Sequence, residues 1–74
     1  MKKTIFQQFG QRVRKLRLEM GLSQEDLAFR CGMHRTYYSG IERGQRNPSL
    51  KNIAKIAKTL DITLSQLFIF EDKK

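Results

Sequence analysis

The chain has no tryptophan, one proline, one cysteine and one histidine among its 74 residues. The single cysteine, Cys31, cannot form an internal disulfide, which is typical of proteins that fold in a reducing compartment. Cys31 and His34 supply too few ligands for a zinc site, and no acid is spaced to orient the histidine for catalysis. Paired carboxylates and a nucleotide-binding glycine loop are also missing. The sequence therefore predicts no enzyme activity, no metal and no cofactor.

Long hydrophobic runs and negative charge are scarce as well. No segment approaches the roughly 20 apolar residues of a transmembrane helix, and the two lysines near the start precede no apolar signal region. Asp and Glu total 7 against 15 Lys and Arg, which gives a formal net charge of +8. This balance favours polyanionic partners, with nucleic acid ahead of an anionic membrane surface. We expect a cytoplasmic protein that does not bind membranes.

Helical periodicity runs along the whole chain, and no strand pattern, repeat or linker interrupts it. Cap residues such as Ser23, Ser49 and Thr63 can start helices, and glycine can end them. These signals predict five helices, at about residues 5–20, 24–31, 35–43, 50–60 and 64–70, with a loose tail at 71–74. A chain of this length has room for one core, so we expect a single all-α domain over residues 1–74.

The apolar stripes predict which residues form that core. The stripe of the first helix comprises Ile5, Phe9, Val13, Leu16 and Met20. The stripe of the fourth helix comprises Leu50, Ile53, Ala57 and Leu60. Gly10 lies inside the first helix at a cost of ~1 kcal/mol relative to alanine, so we expect the first turns to fray.

The segment from Gly32 to Asn47 carries the strongest functional signal. Only two or three residues around Gly32 separate the second and third predicted helices, and this arrangement is a helix-turn-helix. Met33, Tyr38 and Ile41 form an apolar face on the third helix. Its opposite face carries Arg35, Thr36, Ser39, Gly40 and Arg43, and we expect the glycine to leave room for the close approach of a bulky surface. A short helix with such a face suits the DNA major groove, where side chains reach base edges.

A family resemblance is carried by the run SQEDLAFRCGMHRTYYSGIERGQRNPSLKNIAKIAKTLDITLSQLF. It resembles the phage-repressor and Cro-like (XRE) helix-turn-helix family over about residues 11–68, through the motifs SQEDLA, IERG, NPSL and LSQL. The segment HRTYYSGIERGQRN is most similar to the controller proteins, the small regulators of restriction–modification operons. The resemblance implies a compact five-helix bundle of the lambda-repressor-like type, a homodimer and a palindromic operator.

The resemblance also implies roles for individual residues. Base reading falls to Arg35, Thr36, Ser39 and Gly40. Contacts with the DNA backbone fall to Gln24, Arg43, Arg46 and Asn47. Tyr37 is expected to be more exposed than Tyr38 and to add a phosphate contact through its hydroxyl. Glu42 is expected to turn inward and to form a structural ion pair with Arg17, which sets the helix angle.

The C-terminal run LFIF carries more apolar surface than one small core can cover, and such a patch usually marks an interface. We expect a two-fold dimer contact through Leu67, Phe68, Ile69 and Phe70. The sequence thus predicts a homodimeric transcriptional regulator on double-stranded DNA. It is expected to exclude RNA polymerase or to touch it, and to be nucleoid-associated when bound. A generic phage-type or chromosomal repressor is the first alternative, and a protein-interaction or membrane-surface module is the second.

Overall fold

The structure, a computed structural model, describes residues 2–70, and this part of the chain is helical without strands. Its helices are α1 (Ile5–Glu19), α2 (Gln24–Cys31), α3 (Arg35–Glu42), α4 (Leu50–Thr59) and α5 (Leu64–Leu67). The predicted order and number of helices are confirmed for the described residues. The fifth helix is shorter than predicted, because Phe68 already occupies its C-cap. The tail expected at 71–74 lies outside the described residues.

Local signals account for the helix boundaries. A side-chain hydroxyl accepts a hydrogen bond from a backbone N–H three residues on at Thr4, Ser23, Ser49 and Thr63. Each cap satisfies a donor that the first turn would otherwise leave unpaired. The positive-φ residues, with φ of 58–74°, are Gly21, Gly32, Gly44 and Asp61. Left-handed backbone at these positions ends α1 to α4 and lets the chain reverse.

The core lies between helices that are distant in sequence. α3 packs against both α1 and α2, while α4 packs against α2 and α5. The largest fully buried side chains are Tyr38, Leu27, Ile41, Ile56, Leu67 and Val13. Because Tyr38 and Ile41 both belong to α3, one face of that helix is anchored in the core, and the opposite face, which carries Arg35, is directed outward. None of the helices in the described residues is long and apolar enough to cross a lipid bilayer.

The ends of the predicted stripes lie outside this core. Leu50 is 74% exposed, Ile5 is 53% exposed and Met20 is 44% exposed. Side chains of a helix lean toward its N-terminus, so Leu50 and Ile5, which begin α4 and α1, project beyond the packed turns. Met20 follows the last residue of α1. Ile56, absent from the predicted stripe of α4, is fully buried.

Gly10 has a packing role that its helix penalty obscures. It is buried where α1 meets α3, and a Cβ atom at this position would lie less than 3.0 Å from the backbone oxygens of Ile41 and Glu42. The missing side chain therefore allows two helix backbones to approach closely. α1 is continuous from Ile5 and starts with a capping box between Thr4 and Gln7, which stabilises its first turn, and the fraying of that turn stays a prediction.

Candidate nucleic-acid interface

A buried polar network holds α3 against its two supporting helices. Arg17 donates from Nε to Glu42 Oε2 at 2.6 Å and from its second terminal nitrogen to Glu42 Oε1 at 3.2 Å. Tyr38 and Gln24 donate to the same carboxylate at 2.5 and 2.9 Å, and Arg17 also donates to the Leu22 carbonyl at 2.7 Å. The pair predicted between Arg17 and Glu42 is thus in contact. Its side chains are 8% and 2% exposed.

The network sets the protonation states of its members. Burial acts to raise the pKa of the Glu42 carboxyl, but hydrogen bonds from Arg17, Tyr38 and Gln24 outweigh it and hold the pKa below its ordinary value of 4.5. The hydrogen bond to Glu42 raises the pKa of Arg17 despite its burial. Burial, together with the bond to Glu42, raises the pKa of the Tyr38 hydroxyl well above its ordinary range. A charged, bidentate pair therefore joins α1 to α3.

The outer face of α3 presents its first residues to solvent. Arg35 and Thr36 are both exposed, and His34 begins the helix without a side-chain cap. Further along, Ser39 is half-buried and its hydroxyl accepts a hydrogen bond from the exposed Arg43. The residues expected to read bases therefore differ in accessibility. Arg35 and Thr36 extend from the fold, whereas Ser39 is already bonded within it.

Gly40 does not provide the open surface that the sequence suggested. It is buried, and the side chain of Arg46 covers it. A Cβ atom at position 40 would lie 2.8 Å from Arg46 Cγ and 3.2 Å from Arg46 Nε. A glycine in the outer face was expected to admit a bulky ligand. In this structure the side chain of Arg46, from the loop that follows α3, occupies that space.

Tyr37 and Arg46 form the second part of this arrangement. The Arg46 guanidinium carbon lies 5.7 Å from the centroid of the Tyr37 ring, within the range of a cation–π contact. Tyr37 is half-buried, and Asn52 Nδ2 of α4 donates to its hydroxyl at 3.2 Å. The Tyr37 hydroxyl, expected to face phosphate, thus has a partner inside the fold. Asn52 was missed because its contact with α3 depends on how the two helices cross.

The remaining residues assigned to the DNA backbone divide into two groups. Arg43 and Asn47 are exposed, and Arg43 Nε also donates to Gln45 Oε1 at 3.2 Å. Gln24 instead directs its amide inward to Glu42. Glu25 and Asp26 lie in the same turn of α2, and they disfavour phosphate there. The geometry therefore assigns the Gln24 side chain to bracing α3.

The C-terminal apolar run also divides. Leu67 is fully buried within the chain, so it belongs to the core and its assignment to a dimer interface is corrected. α5 is a single turn that packs against α4, and its last residue, Leu67, belongs to the buried core. Phe68 and Ile69 are 42% and 58% exposed, and Phe70 is half-buried. The Phe68 ring lies 5.3 Å from that of Phe9 and 5.9 Å from that of Phe70, so an aromatic cluster reaches the surface here.

The cysteine and histidine have structural surroundings. Cys31 is buried, its Sγ lies 3.4 Å from Thr59 Oγ1, and burial raises the pKa of its thiol. His34 lies at the start of α3, on its exposed side. Within residues 2–70, no three His, Cys, Asp or Glu side chains are placed to hold a metal ion. The exposed side chains of Arg35, Thr36 and Arg43 offer hydrogen bonding and positive charge on this surface.

Comparisons with known proteins agree with this geometry. The helix-turn-helix family model HTH_3 matches residues 13–67. The control protein C.BamHI of Bacillus amyloliquefaciens is 56% identical over 63 residues, which cover 84% of this chain and 78% of that protein. The crystal structure of the restriction–modification controller protein C.AhdI from Aeromonas hydrophila is 57% identical with a TM-score of 0.83, covering 85% of this chain and 96% of that chain. The controller protein C.Esp1396I, solved as a tetramer with its natural 35 base-pair operator, is 37% identical with a TM-score of 0.81, covering 90% and 88%.

Proposed function

The chain belongs to the helix-turn-helix family described by HTH_3, and from this premise we propose that it is a sequence-specific DNA-binding regulator of transcription. The observation that carries the proposal is the exposed start of α3, where Arg35 and Thr36 extend from a helix fixed by the Arg17–Glu42 network. Rigid support matters because base contacts require side chains at defined positions in the major groove. A formal charge of +8 supports the choice of partner.

In this mechanism α3 is the recognition helix. Arg35 can donate two hydrogen bonds to the O6 and N7 atoms of guanine, and Thr36 can contact a thymine methyl group or a phosphate. Arg43, Arg46 and Asn47 are placed beside the helix and in the loop after it, where contacts with phosphate fix the register without reading sequence. No catalysed step and no cofactor enter the mechanism.

We further propose that the regulator acts as a homodimer on a palindromic operator. The exposed apolar surface of Phe68 and Ile69, continuous with the Phe9 ring, supplies a patch that a second copy can cover. A two-fold axis through this patch brings two α3 helices to successive half-sites, about 34–36 Å apart along the duplex. Assembly on DNA by C.Esp1396I supports this arrangement.

The similarity to control proteins supports a role in a restriction–modification operon, as a regulator whose operator overlaps a promoter. Occupancy of such a site represses by excluding RNA polymerase. Occupancy of a neighbouring site brings the same protein beside polymerase, so that one regulator activates or represses according to which site is filled.

Selection of bound duplexes from a random pool tests the proposal. We expect enrichment of a symmetric sequence with half-sites about one helical turn apart. Binding to random duplex should weaken linearly on a plot of log affinity against log salt, because several phosphates are neutralised. A pool without enrichment, together with association with anionic vesicles that survives added DNA, would support a membrane-surface module instead.

A further inference from the structure

The side chain of Arg46 lies on a surface formed by α3 itself. The Gly40 backbone lies beneath the Arg46 methylene groups, since a Cβ atom at Gly40 would lie 2.8 Å from Arg46 Cγ. The Tyr37 ring, one turn earlier, lies beside the guanidinium group, with its centroid 5.7 Å from the guanidinium carbon. Asn52 of α4 holds the Tyr37 ring in place by donating a hydrogen bond of 3.2 Å to the tyrosine hydroxyl. We call this arrangement of Gly40, Tyr37 and Asn52 the arginine seat.

The end of α3 directs the loop back toward the seat. The backbone N–H of Gln45 donates to the Gly40 carbonyl at 2.9 Å, and that of Gly44 donates to the Ile41 carbonyl at 3.0 Å. This closure, with Gly44 at a φ of 74°, reverses the chain at the helix end. Arg46 follows two residues after Gly44, so its side chain can return along the outer face of α3.

We propose that the arginine seat positions Arg46 for DNA, and that Gly40 influences DNA binding only through Arg46. The inference rests on the proposed function and adds positioning residues to it. It replaces the expectation that the backbone at Gly40 is itself approached by a base. A glycine is needed because any side chain at position 40 would occupy the space of the Arg46 methylene groups.

The physical reason is preorganisation. An arginine side chain that rotates freely on the protein surface loses rotamer entropy when it is immobilised on a ligand. An Arg46 already held by the Tyr37 ring and the Gly40 backbone has lost much of that freedom before DNA arrives, so less is lost on binding. The three atoms nearest to a Cβ at position 40 all belong to the flexible side chain of Arg46. The substitution should therefore move Arg46 while leaving the fold intact.

A double-mutant cycle on Gly40→Ala and Arg46→Ala tests the seat, with the duplex enriched from the random pool as probe. Gly40→Ala alone should weaken binding by about three- to tenfold. Its thermal midpoint should be unchanged or higher, since alanine favours the helix. In the Arg46→Ala background, Gly40→Ala should change the affinity by less than about twofold, because the residue that it displaces is already absent.

Two further comparisons separate positioning from charge. Lys58→Ala removes one positive charge from an exposed position near the end of α4, and it should reduce affinity less than Arg46→Ala. Tyr37→Phe keeps the ring beneath the guanidinium, whereas Tyr37→Leu removes it. If the Tyr37 ring positions the Arg46 guanidinium, Tyr37→Leu should weaken DNA binding more than Tyr37→Phe does, and it should do so only when Arg46 is present.

The outcomes distinguish this inference from the proposed function. If Gly40→Ala reduces the DNA affinity equally with and without Arg46, the proposed role of the arginine seat is wrong and DNA approaches Gly40 directly. Unchanged affinity of Gly40→Ala in the otherwise natural chain would overturn it too. If the unsubstituted chain ignores every duplex at low salt, the proposed function fails first and the seat fails with it.

Discussion

Arg17 of α1 donates to Glu42 at the end of α3 across 25 positions of sequence, with 2.6 Å between Arg17 Nε and Glu42 Oε2. Both side chains are almost fully buried, and Tyr38 and Gln24 complete the coordination of the carboxylate. A buried pair of this kind adds little net stability over apolar packing, but removing one partner leaves an unpaired charge. We propose that its role here is to define the orientation of the helix that carries Arg35.

Loss of the Glu42 charge should destabilise the fold and flatten its pH dependence. Glu42→Gln leaves Arg17 buried without a counter-charge, which we expect to lower the free energy of unfolding by about 3–5 kcal/mol at neutral pH. In the natural chain the folded-state pKa of Glu42 lies below its ordinary value of 4.5, so the ionised Glu42 makes its full contribution to the free energy of unfolding above pH 4.5. That contribution should be lost as the pH falls through the lower, folded-state pKa. Urea unfolding between pH 7 and pH 3 measures both effects.

The matched control is Glu19→Gln, which removes the same charge from an exposed position on α1. Its free energy of unfolding should stay within about 0.5 kcal/mol of that of the natural chain. Asp26 also has a lowered pKa, through hydrogen bonds from the Ser23 backbone and hydroxyl, so some acid sensitivity should remain in Glu42→Gln. If the free energy of unfolding falls equally with pH in Glu42→Gln and in the natural chain, Glu42 is not a source of the acid dependence.

Gly10→Ala should destabilise the protein although alanine favours helices. The added methyl group meets the backbone oxygens of Ile41 and Glu42, which cannot move without shifting α3. We expect a loss of about 1–3 kcal/mol from overpacking, seen as a lower midpoint in thermal or urea unfolding. Gly40→Ala is the matched control, since its methyl group meets a flexible side chain. Equal stability of the two variants would contradict close packing at Gly10.

Arg35→Ala should weaken binding to the selected operator by about 1–3 kcal/mol and relax the preference at one base position. Titrations against the operator and against its single-base variants measure both quantities. The physical reason is the loss of a bidentate contact with guanine. A loss of the same size on random duplex would assign Arg35 to phosphate instead.

Ile69→Glu should convert the proposed dimer to monomers, because it places a charge in the exposed C-terminal patch. Ile69 is 58% exposed, so the folded monomer should tolerate the change, and sedimentation velocity reports the mass. Phe29→Glu alters an aromatic residue of α2 that is 85% exposed, and it should leave the dimer intact. Leu67→Glu should instead unfold the chain, since Leu67 is fully buried. A dimer that survives Ile69→Glu would refute the patch as the interface.

Much of the architecture, including the positions of the helices and the two faces of α3, can be predicted from the sequence alone. Caps and left-handed residues act through backbone groups within four residues of themselves, so Ser23, Gly32, Gly44 and Ser49 placed the boundaries of α2, α3 and α4 to within one residue. The start of α1 carries the same kind of signal in Thr4 and Gln7, which form a capping box. The two faces of α3 followed from helical period alone, and Tyr38 and Ile41 are buried as expected.

The arrangement between helices was decided by the tertiary structure. Gly10 is necessary only because α1 and α3 touch there, and Leu67 is buried because α5 packs back on the rest of the fold, including α4. Gly40 is covered because the loop after α3 reverses and returns Arg46 to the helix. The sequence by itself determined which segments are helical and which side of α3 carries the polar groups, because both depend on interactions between near neighbours. Whether those groups face solvent or another side chain depends on helix crossings and loop paths, which join residues that no local pattern relates.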